Sequence, residues 1–279
     1  MQGSLRKMTV SLCDQSGVLY SLPLNGNKER AVPINELIGK PITITATGKI
    51  NCVSCGADTK KSYHQGYCGE CAASLPECDS CRVSPEKCHY SQGTCRDPKW
   101  GEEECLTPHF VYISFTSGYK VGITRGKNVP SRWLDQGALV ATPIFEVRER
   151  LLSGVVEDAF REHVSDRTNW RTMLLSDAAP SDEEFKAHVA QLMALMKPAI
   201  DKLQLQYGAD AIKLTPIDPV RPDYPIGERP MQKLSGTHNF DKQPELSGVL
   251  HGVKGQYLYV GQSVVNIRKF AGYEVNLSF

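Results

Sequence analysis

The feature that most constrains the fold of this chain is its cysteine spacing. Two Cys-x-x-Cys pairs stand twelve residues apart, Cys52 with Cys55 and Cys68 with Cys71. Each pair can bind one side of a tetrahedral ion from a short turn, and two pairs complete its coordination. The spacing is close to that of a zinc ribbon, although the middle segment is shorter than usual. These residues therefore predict a structural Zn²⁺ site, and an iron–sulfur cluster held by the same thiolates stays open as an alternative.

A second group of cysteines follows within a few residues. The ligands predicted for a second structural zinc ion are Cys78, Cys81, Cys88 and Cys95. His89 is the first substitute for one of them, and Cys105 or His109 could enter instead. Four protein ligands leave no coordination position for water. Both sites are therefore expected to stabilise the fold of residues 51–107 rather than to catalyse a reaction.

The cysteines also bear on the compartment in which the protein works. Residues 1–12 lack the continuous apolar segment of a signal peptide, and no stretch of the chain has the run of about 18 apolar residues that a membrane span needs. Cytoplasmic proteins keep their thiols reduced, and clustered Cys-x-x-Cys pairs then indicate metal binding rather than disulfides. We therefore expect a cytoplasmic protein with no membrane partner.

Composition limits the functional classes only weakly. The 279 residues carry a formal net charge of +1, with 23% charged and 41% hydrophobic residues. A balanced charge gives no general electrostatic argument for nucleic-acid binding, so any such contact must come from a local basic patch. The length is sufficient for two or three domains with cores of their own.

Local patterns predict an α+β protein with four segments. Residues 1–50 alternate in the manner of β-strands, 51–107 are cysteine-rich, 108–215 mix strands and helices, and 216–279 are a proline-rich linker followed by strands. Because the two terminal segments are similar in style, we expect them to pack together as one β module. The other two segments are then inserted between the halves of that module.

The 108–215 segment has a distinct order of elements. The predicted elements are strands at 110–115 and 119–124, a helix from 130 or 131, a strand at 143–148, and helices at 150–164 and 182–207. Gly118 lies in the turn between the first two strands. Ser181 and Glu184 have the spacing of a capping box at the start of the last helix. Pro198 predicts a kink or break within that helix.

Short motifs lie at corresponding points of these elements. Phe110-Val111-Tyr112 is on the first strand, Lys120 to Thr124 on the second, and Arg132-Trp133 on the next helix. Glu157 is on the later helix, and Asn169 follows it by twelve residues. In this order, residues 110–170 resemble the GIY-YIG nuclease superfamily. More broadly, the stretches GYCGEC, CHYSQGTCRDPKWGE, KVGITR and RWLDQGA make the chain similar to an uncharacterised bacterial family that joins such a core to cysteine-rich and β segments.

The resemblance implies a GIY-YIG-like α/β core and a set of catalytic residues. That set is Tyr112, Lys120, Arg132, Glu157 and Asn169. Glu157 would bind Mg²⁺ or Mn²⁺, and Arg132 would hold the phosphate. Tyr112 would orient the attacking water, and Asn169 would support the site.

The chain departs from the family pattern at Lys120, because the second motif normally begins with tyrosine there. The adjacent Tyr119 cannot simply substitute, since neighbouring side chains on a strand point to opposite faces. Lys120 either contacts phosphate or marks a site that binds without cutting. Retained cleavage is therefore left open.

The leading functional hypothesis is binding of DNA or RNA, with phosphodiester cleavage as the reaction that the resemblance implies. The cations expected along the nucleic-acid backbone are Arg125, Lys127, Arg132, Arg167 and Arg171. Trp133 and Trp170 could stack on bases. The alternative is a catalytically inactive scaffold with structural zinc that binds RNA, a ribonucleoprotein or another protein. A third hypothesis is a thiol or metal sensor that uses Cys13 and Cys105.

Overall fold

The computed structural model describes residues 1–13, 17–26, 31–165, 167–227, 234 and 236–279. The strands are β1 (Gln2–Ser4), β2 (Thr9–Leu12), β3 (Val18–Leu22), β4 (Val32–Pro33), β5 (Pro41–Ile50), β6 (His109–Phe115), β7 (Tyr119–Arg125), β8 (Val140–Val147), β9 (Ile212–Leu214), β10 (Glu245–Lys254), β11 (Tyr257–Val260), β12 (Ser263–Asn266) and β13 (Tyr273–Ser278). The α-helices are α1 (Gly69–Ser74), α2 (Pro98–Glu104), α3 (Ser131–Asp135), α4 (Arg150–Phe160), α5 (Trp170–Leu175) and α6 (Asp182–Tyr207). The predicted α+β class is confirmed.

The chain divides into two compact units. The first comprises Met1–Ser74, Leu134–Gly137 and Pro222–Phe279, and the second comprises Leu75–Trp133 and Ala138–Arg221. The division after Ser74 runs through the predicted cysteine-rich region 51–107. The first cysteine group therefore belongs to the first unit, and the second group belongs to the second unit.

Contacts on each side of Ser74 explain this division. In the first unit, Asn51 donates its backbone N–H to the carbonyl of Gly272 at 2.7 Å, which ties the chain after β5 to the C-terminal segment. In the second unit, residues 85–87 pack against α4, where a Cβ on Gly154 would lie 2.7 Å from the Pro85 side chain. The two cysteine groups are thus held by different cores.

Strands from both ends of the chain form the main sheet of the first unit. Its order is β1-β13-β5-β10-β11-β12, and every pairing is antiparallel. Gln2 lies opposite Asn276, and Leu246 lies opposite Ile44. A separate sheet has the order β2-β3-β4. Apolar side chains from both sheets, such as Val18 and Ile44, share one buried cluster.

The second unit is built on an antiparallel sheet with the order β7-β6-β8-β9. Side chains of β6 alternate between its two faces, as expected for a strand. Val111 and Ile113 join a buried cluster that includes apolar residues of α4 and α6. Tyr112 joins a separate small cluster with Trp133. The helices α4 and α6 thus cover one face of this sheet, and Tyr112 belongs to the other.

Two elements of the second unit differ from the sequence-based expectation. The strand β8 begins at Val140 rather than at Pro143, and the register between β6 and β8 shifts where Pro143 lies opposite Tyr112. Proline lacks an N–H for the ladder and is tolerated at such an irregularity. The long helix α6 begins with the predicted capping box of Ser181 and Glu184, and it continues through Pro198 to Tyr207 without the break that the proline allowed. In the described residues, no helix is long and apolar enough to cross a membrane.

Candidate metal centre

Four cysteines of the first unit form a compact cluster. The Sγ atoms of Cys52, Cys55, Cys68 and Cys71 all lie within 4.8 Å of one another, and those of Cys55 and Cys68 are 3.8 Å apart. Tetrahedral Zn–S bonds of about 2.3 Å place sulfur atoms about 3.8 Å from each other. The cluster is therefore compatible with a structural zinc ion bound by the four thiolates.

The local backbone explains why these thiols point inward. Gly56 adopts a positive φ of 75° directly after the first pair, and its N–H donates to the Cys52 carbonyl at 3.0 Å. This tight turn leaves room for backbone N–H groups to face the sulfur atoms. Cys68 donates its N–H to the Cys52 sulfur at 3.3 Å, and Cys71 donates to the Cys68 sulfur at 3.5 Å. Such donors stabilise negative charge on sulfur.

The four thiols also perturb one another. Burial acts to raise the pKa of Cys52, but hydrogen bonds from the backbone of Cys55, Cys68 and Ser54 outweigh it and lower that pKa to about 6. Burial, followed by hydrogen bonds with the neighbouring thiols, raises the pKa of Cys71 to about 12. One thiolate forms easily, whereas the last one needs a compensating cation. A divalent ion at the centre of the cluster would supply that charge.

The second cysteine group is arranged differently from the prediction. Within the described part of the chain, ligand atoms of three or more His, Cys, Asp or Glu residues come together at one further place, formed by Asp79, Cys81 and His89. Of the four predicted ligands, this group contains Cys81. The other three are Cys78, Cys88 and Cys95, and their sulfur atoms are not brought into it.

The carboxylate of Asp79 already has a full set of partners. One oxygen accepts from Ser80 and from the N–H of Cys81, and the other lies 2.9 Å from Arg96 Nε and 3.5 Å from His89 Nε2. Burial opposes ionisation, but the Cys81 N–H and then Arg96 lower the pKa of Asp79. Asp79 therefore caps a short turn and pairs with Arg96. The sequence reasoning missed this role, which the Asp between two cysteines could have suggested.

Tyr112, the first predicted catalytic residue, is enclosed. Its exposed fraction is 0%, and it lies opposite Gly122 in the β6–β7 ladder. A Cβ on Gly122 would be 2.5 Å from the Tyr112 hydroxyl oxygen. The ring of Trp133 meets the Tyr112 ring edge-on, with centroids 6.0 Å apart. Tyr112 is thus a core side chain on the face opposite α4 and α6.

Lys120 is also buried, with an exposed fraction of 4%. Its ammonium group donates to the Thr168 hydroxyl at 3.2 Å, and its backbone pairs with Ser165 as a parallel bridge. The adjacent Tyr119 faces the helical core instead and stacks on His188 with centroids 3.7 Å apart. Lys120 therefore joins β7 to the segment that precedes α5.

The remaining predicted catalytic residues have other local contacts. Glu157 accepts from Arg161 Nη2 at 3.3 Å, one helical turn further along α4. Asn169 is the N-cap of α5, and its side-chain oxygen accepts from the N–H groups of Arg171 and Thr172. Arg132 is half-buried on α3. The structure brings Lys120 to Ser165 and Thr168, whereas Tyr112 lies in the small cluster with Trp133 and Glu157 pairs with Arg161.

Apart from Arg132 on α3, the predicted nucleic-acid-binding cations fall into two sets of two residues. Arg125 and Lys127 both pair with Glu104, a carboxylate in the acidic run of α2 whose role sequence reasoning missed. Arg167 and Arg171 are exposed near the start of α5, and the Arg171 guanidinium lies 4.4 Å from the centroid of the Trp170 ring. The second set presents positive charge beside an aromatic surface.

Comparison with known proteins identifies the family of this chain. No curated protein and no solved structure matches the chain. A family model described as "Protein of unknown function (DUF2797)" matches residues 39–275, which span most of both units and both cysteine groups. The chain therefore belongs to the DUF2797 family.

Proposed function

We propose that this protein binds nucleic acid through a GIY-YIG-like core in its second unit and does not cleave it. The zinc site of the first unit then has a structural role. The order of elements supports such a core, since the β6–β7 hairpin is followed by α3, by β8 on the other side of β6, and by α4. Fold alone does not determine activity, so the choice between binding and cleavage depends on the side chains.

The observation that carries the choice is the enclosure of Tyr112. A residue that orients attacking water must reach that water by hydrogen bonding. Tyr112 is fully buried between Gly122 and Trp133, which separates it from solvent. Lys120, at the position of the second motif, is committed to Thr168. Tyr112 on β6 and Lys120 on β7, the residues at the two motif positions, therefore both have structural contacts in the protein interior.

In the structure, the carboxylate of Glu157 pairs with Arg161. Mg²⁺ requires near-octahedral oxygen ligands and keeps several waters. The Glu157 side chain is 11% exposed and shares its carboxylate with Arg161. We therefore assign Glu157 to an ion pair within α4.

The surface near the start of α5 is the binding site that we propose. Arg167 and Arg171 are exposed, and the Arg171 guanidinium covers the half-buried Trp170 ring. A positively charged surface with a planar stacking group is suited to a flexible single strand. Arg125 and Lys127 pair with Glu104, which neutralises part of their charge.

A binding experiment with matched variants tests this site. Fluorescence anisotropy would be measured with single-stranded and structured DNA and RNA over a range of salt concentrations. The double variant Arg167→Ala/Arg171→Ala should reduce the slope of log affinity against log salt by about 2, because two phosphate contacts are lost. Arg148→Ala removes an exposed arginine elsewhere in the second unit and should leave the slope unchanged. Failure of the unaltered protein to bind any of these probes would overturn the proposal.

Cleavage is tested in the same mixtures with added Mg²⁺ or Mn²⁺. The probes should stay intact with the unaltered protein and with Glu157→Gln. Cutting by the unaltered protein that Glu157→Gln abolishes would show that the core is a nuclease, and it would refute the non-cleaving part of the proposal while leaving the binding part in place.

A further inference from the structure

Three side chains of the second unit that can bind metal ions gather at one place. They are Asp79, Cys81 and His89, whose carboxylate oxygen, Sγ and ring nitrogen atoms all lie within 4.8 Å of one another. The cysteine spacing predicts Cys81 as a ligand and His89 as a substitute, whereas Asp79 is absent from the ligands that it predicts. Thiolate, imidazole and carboxylate groups are the ligands that zinc takes in proteins.

The separation of Asp79 and His89 fits a tetrahedral ion. Asp79 Oδ2 and His89 Nε2 lie 3.5 Å apart. Zn–N and Zn–O bonds of about 2.0–2.2 Å at a tetrahedral angle place the two ligand atoms about 3.4 Å from each other. A direct N–H···O hydrogen bond would bring them to about 2.7–3.2 Å. The observed distance therefore matches two ligands of one ion better than a hydrogen bond.

Thr94 determines which nitrogen of His89 carries the lone pair. Gly93, with a φ of 71°, brings Thr94 back towards His89 after the short turn at 90–92. The Thr94 hydroxyl donates to the His89 carbonyl at 3.3 Å and lies 2.8 Å from His89 Nδ1. Because a hydroxyl has one hydrogen, Nδ1 must donate to it, and the neutral ring then has its lone pair on Nε2. Metal-binding histidines are commonly oriented in this way.

The other contacts of Asp79 are compatible with a metal ion. One oxygen accepts from the Cys81 N–H at 3.4 Å, which caps the 3₁₀ turn at Ser80–Arg82. The other oxygen lies 2.9 Å from Arg96 Nε and has a second lone pair. An ion therefore replaces only the contact with His89. The positive charge of Arg96 repels that ion, so we expect weaker binding here than at the four cysteines of the first unit.

We propose that Asp79, Cys81 and His89 bind a second zinc ion, which exchanges with the solution and keeps its fourth coordination position for water. Three protein ligands and one water form a common set at zinc sites that are open to solvent. The His89 side chain is 24% exposed, so solvent can reach the ion. Cys81 releases its proton on binding, and its thiolate and the Asp79 carboxylate balance the charge of Zn²⁺. This proposal is independent of nucleic-acid binding.

Zinc titration of matched variants tests the ligand set. The full chain, treated with a mild chelator that leaves the tightly bound zinc in place, should take up one further zinc ion per molecule. Asp79→Asn and Cys81→Ser should bind this ion more than about 100-fold more weakly, because loss of a group that only supports a ligand already costs about 10–100-fold. The amide oxygen of Asp79→Asn can still accept the Cys81 N–H, so the turn is retained.

Asp97→Asn is the control for this titration. Asp97 is the N-cap of α2, where its side chain accepts from the Trp100 N–H, so the same substitution changes a capping aspartate outside the group. This variant should bind the further zinc ion as tightly as the unaltered chain. Equal zinc affinity of Asp79→Asn and Asp97→Asn would overturn the proposal, as would the absence of further zinc uptake by the unaltered chain.

Two substitutions of Thr94 test its role as a positioning residue. Thr94→Val removes the hydroxyl with little change in volume and should weaken binding of the further zinc ion about 10–100-fold. Thr94→Ser keeps the hydroxyl and should retain the affinity. Equal affinity of these two variants would refute the orientation of His89 that the proposal requires.

NMR of the histidine ring nitrogens observes His89 itself. Added zinc should shift the Nε2 resonance of His89 in the unaltered chain while Nδ1 keeps its proton, and Asp79→Asn should greatly reduce this shift at the same zinc concentration. A ring that is protonated at both nitrogens at neutral pH and does not respond to zinc would mean that His89 forms an ion pair with Asp79, and it would overturn the proposal.

Discussion

At the residue scale, Gly122 determines how the β6–β7 hairpin packs, because it has no side chain. Gly122 leaves room for the Tyr112 hydroxyl, which would be 2.5 Å from a Cβ at that position. Gly122→Ala should therefore destabilise the protein by about 1–3 kcal/mol, the usual range for overpacking a core. Urea denaturation measures this change. Gly126→Ala is the control, because its Cβ would meet its nearest atom at 3.5 Å, an ordinary contact. Equal stability of the two variants would contradict the packing that we describe.

His109 gives the residue-scale prediction for pH. Burial, which outweighs the hydrogen bond to the Thr107 carbonyl, lowers the pKa of His109 to about 4, and Arg150 and Arg82 act in the same direction. The unfolded chain takes up this proton near pH 6.5, before the folded chain does. His109 therefore does not change the free energy of unfolding above about pH 6.5. As the pH falls from there to 4, it lowers that free energy by about 3 kcal/mol. A ring titration by NMR should find His109 neutral at pH 5.5, and protonation at that pH would refute its burial.

At the scale of elements, α6 shows that side-chain packing can outweigh a helix-breaking residue. Pro198 leaves the carbonyl of Ala194 without its usual donor, yet the helix runs from Asp182 to Tyr207. Buried side chains before and after the proline, including Val189 and Ile200, hold both halves against one core. Packing stabilises a helix more than propensity does, so the break that Pro198 alone allowed does not occur, and the alternative of a kink stays a prediction.

Replacement of that proline should therefore stabilise the protein. Pro198→Ala restores one backbone hydrogen bond and should raise the free energy of unfolding by about 1–3 kcal/mol. The neighbouring Lys197→Ala removes an exposed ion pair with Asp201 and should change it by less than about 0.5 kcal/mol. Thermal and urea unfolding measure the change in the free energy of unfolding for both variants. A destabilised Pro198→Ala would mean that the backbone at this position is adapted to proline.

The elements that could be predicted from the sequence are those that a local residue pattern determines. Alternation in 110–115 and 119–124 gave the hairpin, and the capping box gave the start of α6. The short helices α1 and α2 have no clear apolar period and lie among the cysteines, so their conformation depends on turns and caps that the periodicity does not report. The ligand spacing is a local signal too, and it identified the first thiol cluster. The bond from Arg150 to the Arg82 carbonyl joins segments that are distant in the chain, so no local pattern predicts it.

At the scale of the whole molecule, pairing between the chain ends organises the first unit. β13 lies between β1 and β5, so strands separated by most of the sequence share one ladder. Their alternation indicated strands, but strand order and register are properties of the complete sheet and cannot be read from a local pattern. The first cysteine group is joined to this sheet through Asn51 and Gly272. Zinc at that cluster should therefore stabilise more than its own loop.

Cys52→Ser tests this connection. The variant should contain one zinc ion fewer than the unaltered chain, because a structural site contributes its binding free energy only when its ligands are complete. Hydrogen exchange should rise across residues 51–74, including the Asn51 N–H that donates to the Gly272 carbonyl, and at the N–H of Gly272 itself, which donates to the Leu5 carbonyl. The β6–β7 hairpin has its own core and should keep its protection from exchange.

Cys13→Ser, at an exposed thiol, is the matched control and should change neither the zinc content nor the exchange. Unchanged exchange near Gly272 in a zinc-depleted Cys52→Ser would show that the cluster stabilises only its own loop, and that the sheet of the first unit is held by strand pairing and apolar packing without the metal.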